Sequence, residues 1–136
     1  MSVNQAGVAE AIRAMADAVR PIQGLNVFDY EPSTVSPPAA VFGPPDTIDQ
    51  FERLGPGQPS DPWRWPCPVE LVGQRTNERS AQYELLALQR EVVWRVEQLR
   101  HNRVCHVHVR AIGSVRPLQI AGGSYWSSRI TFEVWA

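Results

Sequence analysis

Cysteine and histidine occur together at one place in the chain, the run Cys105-His106-Val107-His108, with His101 shortly before it. These residue types could hold a metal ion, because imidazole nitrogen and thiolate sulfur are ligands that zinc prefers. The spacing does not favour a zinc site, since neither a CxxC nor an HxxxH pattern is present. On a strand, Cys105 would also point away from His106. We therefore interpret the histidines as solvated or interfacial, and we predict no metal site.

Nucleophilic and cofactor chemistry also lack a pattern in this sequence. Neither Cys67 nor Cys105 lies at a predicted helix N-terminus, where a thiolate would be stabilised. No GxSxG motif and no P-loop occurs. Gly122-Gly123 lacks the following glycine and helix of a phosphate-binding loop, so it indicates a hairpin turn. We predict no catalytic residue, no cofactor and no enzymatic activity, and we interpret both cysteines as small buried hydrophobic residues.

Length and charge restrict the remaining possibilities. The chain has 136 residues, 43% of them hydrophobic, and a net charge of −1. That length suits one domain with one sizeable core. The absence of a basic block does not support tight sequence-independent binding of nucleic acid. No apolar run is long enough to cross a bilayer, and no signal peptide is apparent, so we predict a protein made in the cytoplasm without membrane contact.

Aromatic residues next to prolines are the best candidates for binding. Trp63 and Trp65 lie in the run DPWRWPCP, and exposed tryptophans of this kind are normally covered by something. A contact with another protein is the favoured interpretation, a cap over the chain's own core is the second, and base stacking is the third. Tyr125 and Trp135 lie on the more polar face of the last predicted strand. These four residues are the predicted partner interface.

Periodicity places these residues on an α+β scaffold. Val8, Ile12, Met15 and Val19 predict one helix. A second is predicted from residue 76 or 77 to about Arg100, and its core face consists of Leu85, Leu88, Val92, Val96 and Leu99. Strands are predicted at residues 25–30, 39–42, 68–72, 104–112, 115–120 and 125–135. Between them, residues 44–66 read as an extended proline-rich arm. We predict a single domain, residues 1–136, in which two helices pack on one face of a mostly antiparallel sheet.

Three segments carry a resemblance to a known family. They read VFDYEPSTVSPPAAVFGPP, WRWPCPVELVGQRTNERSAQYELL and GGSYWSSRITFEVWA, and they follow an alanine-rich helix. In this order they resemble the small tail terminator proteins of long-tailed bacteriophages, especially phages of actinobacteria. The chain departs from the family in an arm that is richer in proline and tryptophan.

The resemblance implies a structural role in the virion. Such proteins form a ring, commonly a homohexamer, at the head-proximal end of the tail tube, where the ring stops tube polymerisation. The implied partners are other copies of the chain, the tail tube protein and a head-completion protein of the head–tail connector. DNA would pass through the lumen without specific binding. The family has no catalytic residues, so it implies none here.

Two alternatives remain open from the sequence. The chain could be another connector or minor tail subunit, such as a head-closure protein. It could also be a small hydrolase or ligand-binding domain, in which case a deep pocket should join His106, His108 and an acidic group.

Overall fold

The computed structural model describes residues 3–46, 63–74, 78–120 and 123–136. Two helices and six strands follow one another along this part of the chain, and the fold is α+β as the sequence predicts. In chain order they are α1 (Val3–Val19), β1 (Asn26–Phe28), β2 (Ala39–Phe42), β3 (Arg64–Val72), α2 (Glu78–His101), β4 (His106–Ile112), β5 (Arg116–Ile120) and β6 (Gly123–Trp135).

The strands form one mixed sheet in the order β1-β2-β3-β6-β4, with β5 also paired to β6. β1 and β2 are parallel, and the other described pairs are antiparallel, which confirms the prediction of a mostly antiparallel sheet. Strand β6 is the centre of this arrangement. One of its edges pairs with β3 from Ser127 to Trp135, while the other edge pairs with β5 and then with β4.

Both helices pack on one face of the sheet. The side chains on this face alternate along the strands, as Cys67, Val69 and Leu71 do in β3, and they form one buried cluster with residues of α1 and α2. The same alternation gives β6 its core residues Ile130 and Phe132, both with no exposed surface. The opposite face of the sheet carries no helix among the described residues, and we call it the open face.

The short strand β2 is buried on both of its faces. All four residues, Ala39 to Phe42, are at most 8% exposed. The prolines that precede and follow these four residues favour an extended backbone. The segment therefore loses little conformational freedom when it joins the sheet. The predicted buried strand at residues 39–42 is confirmed.

The end of the proline-rich arm differs from the prediction. Residues 64–66 belong to β3, and Trp63 exchanges backbone hydrogen bonds with Ala136, 2.7 Å and 2.9 Å long. Pro66 is tolerated in this strand because its backbone carbonyl faces away from β6 and accepts a 2.8 Å hydrogen bond from the Asp46 amide. β2 ends at Phe42, opposite Val69, so no ladder position requires the N–H that Pro66 lacks.

Other parts of the arm and one turn cannot be compared with the prediction. Residues 47–62 and the first residue of the predicted Gly122-Gly123 turn lie outside the described residues. β5 and β6 nevertheless pair up to Ile120 and Gly123, as expected for two strands joined by a hairpin. Neither of the described helices is long and apolar enough to cross a membrane.

Candidate interaction surfaces

A groove of about 500 Å³ lies on the open face of the sheet. It forms where β2, β3, β5 and β6 run side by side and where the chain leaves β2. Its walls combine small apolar side chains with five charged ones. We call it the sheet groove, and its lining residues are Glu31, Val41, Gly43, Pro44, Pro45, Asp46, Pro68, Glu70, Arg116, Leu118 and Arg129.

An ion pair fixes one wall of the sheet groove. The guanidinium of Arg129 donates to both carboxylate oxygens of Asp46, at 2.9 Å and 2.8 Å. Both side chains are more than 40% exposed, so the pair contributes little to stability. Both hydrogen bonds come from Nη2 of Arg129, and they connect the segment after β2 to β6.

Glu70 is the half-buried charge in the sheet groove. Burial raises the pKa of its carboxyl above the ordinary value of 4.5, although a hydrogen bond with Ser127 and the charges of Arg129 and Arg116 act in the opposite direction. Together with Glu31 and Asp46, Glu70 gives the groove one more carboxylate than guanidinium. This arrangement suits a cationic side chain supplied from outside.

A second polar cluster lies at the far end of the open face, on the edge strand β4. The Nε2 atoms of His106 and His108 are 3.2 Å apart, and the His106 ring meets Trp135 edge-on at 6.3 Å between centroids. Arg100 donates a hydrogen bond to Nδ1 of His108. The neutral His108 therefore carries its proton on Nε2, where it can donate to His106. Burial, Arg100 and His106 lower the pKa of His108.

Arg64 contacts the ring of Trp135 at this end of the open face. The guanidinium of Arg64 is 2.7 Å from the Glu133 carboxylate and lies over the Trp135 ring, 5.5 Å from its centroid. The described residues include no group of three or more histidine, cysteine or acidic side chains arranged for a metal ion. No histidine lines the sheet groove, so the pocket expected for a small hydrolase does not join His106 and His108 to its carboxylates.

The two cysteines have the chemistry of buried thiols. Burial is the main cause that raises the pKa of Cys67 to about 12, with Asp46 and Cys105 adding to it. Burial also raises the pKa of Cys105. Neither group is a thiolate at neutral pH, and a thiol is a poor nucleophile.

The predicted interface tryptophans divide between the two faces of the sheet. Trp63 and Trp65 lie on the helix side and stack, with centroids 5.5 Å apart and an interplanar angle of 18°. Trp65 packs against the core, and its indole N–H donates to the Ala136 carbonyl at 3.0 Å. The structure thus gives Trp65 a place at the margin of the chain's own core, which was the second interpretation from sequence.

Tyr125 and Trp135 lie on the open face but far apart. Both belong to β6, and the ten residue steps from one to the other correspond to roughly 33 Å of strand. Tyr125 pairs with Leu118 of the sheet groove, whereas Trp135 pairs with His106. The four predicted residues therefore do not form a single patch.

One exposed surface was missed in the sequence. Tyr83, Leu86 and Trp94 of α2 are 64%, 51% and 58% exposed. At about 100° per residue they fall on the side of the helix opposite its core residues Leu85 and Val92. The helical spacing of these apolar residues could have indicated this surface from the sequence. The core residues of the same helix form a stronger pattern, and that pattern alone was interpreted. We call this surface, with Ala87 and Arg90, the outward stripe.

Comparison with known proteins adds no relative to this description. The chain matches no model of a protein family, and a search of curated proteins returns no match.

Proposed function

We propose that this chain is a structural protein of a phage virion, a tail terminator that forms a ring on the head-proximal end of the tail tube. The ring stops tube polymerisation and joins the tail to the head through a head-completion protein. The subunits are made in the host cytoplasm and remain at the head–tail junction of the virion. The proposal takes its specific content from the three sequence segments that resemble this family.

The structural observation that supports a ring is the position of the uncovered surfaces. The outward stripe lies on the helix side of the two-layer molecule, and the sheet groove lies on the open face. A head-to-tail contact needs two different patches of this kind, and it closes a ring when the rotation between neighbouring copies is a whole fraction of a full turn. The net charge of −1 also suits a lumen through which DNA moves without being held.

The oligomeric state of the purified chain tests the ring. We expect light scattering coupled to size exclusion to give about 91 kDa, six times the 15.2 kDa of one subunit, and negative-stain images to show annular particles. Because some ring proteins assemble only on their partner, the measurement is repeated with the tail tube protein from the same genome. A chain that stays at 15.2 kDa in both experiments would contradict the proposal.

Tube length separates a terminator from another connector subunit. We expect polymerising tube protein to form shorter tubes when this chain is added, with the chain at one end of each tube. A head-closure or minor tail subunit could form a ring of the same mass but would leave the length distribution unchanged. An unchanged distribution would therefore favour that alternative within the same virion.

A further inference from the structure

The outward stripe and the sheet groove have complementary chemistry. The stripe presents Tyr83, Leu86 and Trp94 around Arg90, and no ion pair joins Arg90 to another residue in the described part of the chain. Tryptophan, tyrosine and arginine are the residues that most often dominate the energy of protein interfaces. The groove has an excess of one carboxylate and contains apolar wall residues such as Val41 and Leu118.

Glu70 is the carboxylate in the sheet groove best placed to pair with Arg90 of a neighbouring copy. Its carboxyl is half-buried, and two guanidiniums of the groove act on it. Arg129, the stronger of the two, is already engaged by both oxygens of Asp46, and Arg116 acts on it more weakly. A cation that arrives from a neighbouring subunit would find a carboxylate that is desolvated and held by Ser127. Arginine is well suited to this role because its planar guanidinium can bind a carboxylate with two hydrogen bonds.

The dimensions are adequate for a specific contact. A helix of 24 residues such as α2 is about 36 Å long and about 10 Å wide, so its outward half presents roughly 560 Å². A typical specific interface buries about 800 Å² on each partner. The outward side of α2 therefore supplies most of the area needed, and the flanking loops have to supply only the remainder.

We propose that α2 of one copy docks on the open face of the next copy, with its outward stripe over the sheet groove and Arg90 paired with Glu70. This inference rests on the proposed ring. Each subunit then covers the open sheet of its neighbour with a helix. The contact is heterologous, because the stripe of one copy never meets the stripe of another.

Cysteine crosslinking tests this arrangement without disturbing charge. Ala87→Cys places a thiol on the exposed stripe, and Leu118→Cys places one in the sheet groove. With a short bis-maleimide at neutral pH, we expect each single variant to remain a covalent monomer. An equimolar mixture of the two should give crosslinked dimers, and the double variant should give a ladder that ends at the ring size.

The native chain under the same reagent is the control, since burial raises the pKa of both native thiols and slows their reaction. Efficient dimerisation of Ala87→Cys alone would show stripe facing stripe and would overturn the proposal. An oligomeric double variant that does not crosslink would overturn it as well.

Charge reversal gives an independent measurement. We expect Arg90→Glu to weaken association about tenfold or more. Arg90→Lys keeps the positive charge and should therefore weaken association less. Arg13→Glu is the matched control, because it makes the same change in net charge on the exposed side of α1. Equal association of Arg90→Glu and Arg13→Glu would overturn this docking while leaving the ring intact. A native chain that never associates, even with tube protein, overturns the proposed function itself.

Discussion

A buried amide, that of Gln89, connects α2 to the sheet. Gln89 is 8% exposed, and its Nε2 donates to the Gly113 carbonyl at 3.0 Å and to the Ser128 hydroxyl. Gly113 in turn lies against β6, where its N–H donates to the Arg129 carbonyl at 2.7 Å. It can lie there because it has no side chain: a Cβ would be 2.9 Å from the same carbonyl oxygen. The core side of α2 is thus anchored by direction-dependent bonds as well as by apolar packing.

Removal of this amide should destabilise the subunit. We expect Gln89→Ala to lower the free energy of unfolding by about 1–3 kcal/mol, because it removes two hydrogen bonds at a buried site. The Ser128 hydroxyl then keeps only its 3.4 Å hydrogen bond to the Gly113 carbonyl. Denaturant unfolding followed by circular dichroism measures the change. The double variant Gln89→Leu with Ser128→Ala should recover part of the loss, since it removes donor and acceptor together. If the double variant instead loses the sum of the effects of Gln89→Leu and Ser128→Ala measured singly, the amide and hydroxyl are not coupled.

At the scale of elements, α2 has two sides in different environments. Leu85 is 1% exposed in the core, whereas the adjacent Leu86 is 51% exposed on the outward stripe. We expect Leu85→Ala to lower the free energy of unfolding by about 2–5 kcal/mol, because a cavity remains at a close-packed site. We expect Leu86→Ala to change it by about 0.5 kcal/mol or less.

Thermal or denaturant unfolding of the two leucine variants, compared with their oligomeric state, checks this division. Leu86→Ala should weaken association even though its unfolding is nearly unchanged. Similar destabilisation by both substitutions would mean that the outward side of α2 is already buried in the folded subunit.

The sequence was sufficient for the elements with regular patterns. Alternation in β6 predicted its core face, with Ile130, Phe132 and Val134 all buried, and helical spacing predicted both helices. The core face of α2 was less accurate, because Leu88 is only half-buried and Gln89 takes a core position. A hydrophobicity pattern cannot place a polar residue in the core when its partners, here Gly113 and Ser128, come from distant strands.

Prolines misled the prediction at the end of the arm. Pro66 was read as part of an irregular segment because proline cannot complete a sheet ladder. Whether a proline disrupts a strand depends on which edge of the strand its missing N–H would face. Which edge needs that N–H is known only once the neighbouring strands are known. The sheet groove was also beyond prediction for this reason, since Glu70, Arg116 and Arg129 come from three different strands.

For the whole molecule, the sheet groove implies a conflict between stability and the proposed assembly. A carboxyl whose pKa is raised by folding binds protons more readily in the folded state than in the unfolded one. Its contribution to stability is therefore complete below the ordinary pKa of 4.5 and is lost as the pH rises through the raised value. At neutral pH the charge of Glu70 destabilises the isolated subunit, and we expect an arriving cation to offset this.

Replacement of that charge should have opposite effects on the subunit and on its assembly. We expect Glu70→Gln to raise the melting temperature of the isolated subunit at pH 7, with the difference from the native chain disappearing below about pH 4. The same variant should associate more weakly. Calorimetry at the two pH values, followed by light scattering, measures both effects. A lower melting temperature at pH 7 would indicate that Arg116 and Arg129 stabilise the carboxylate more than burial disfavours it.

The central position of β6 also affects how the protein can form during translation. β3 leaves the ribosome long before its partner, because Trp135 follows Val72 by 63 residues. At about 5–20 residues per second the nascent β3 waits roughly 3–13 seconds with one hydrogen-bonding edge vacant. We therefore expect nascent chains arrested before β6 to depend on chaperones, and the sheet to close in one late, cooperative step.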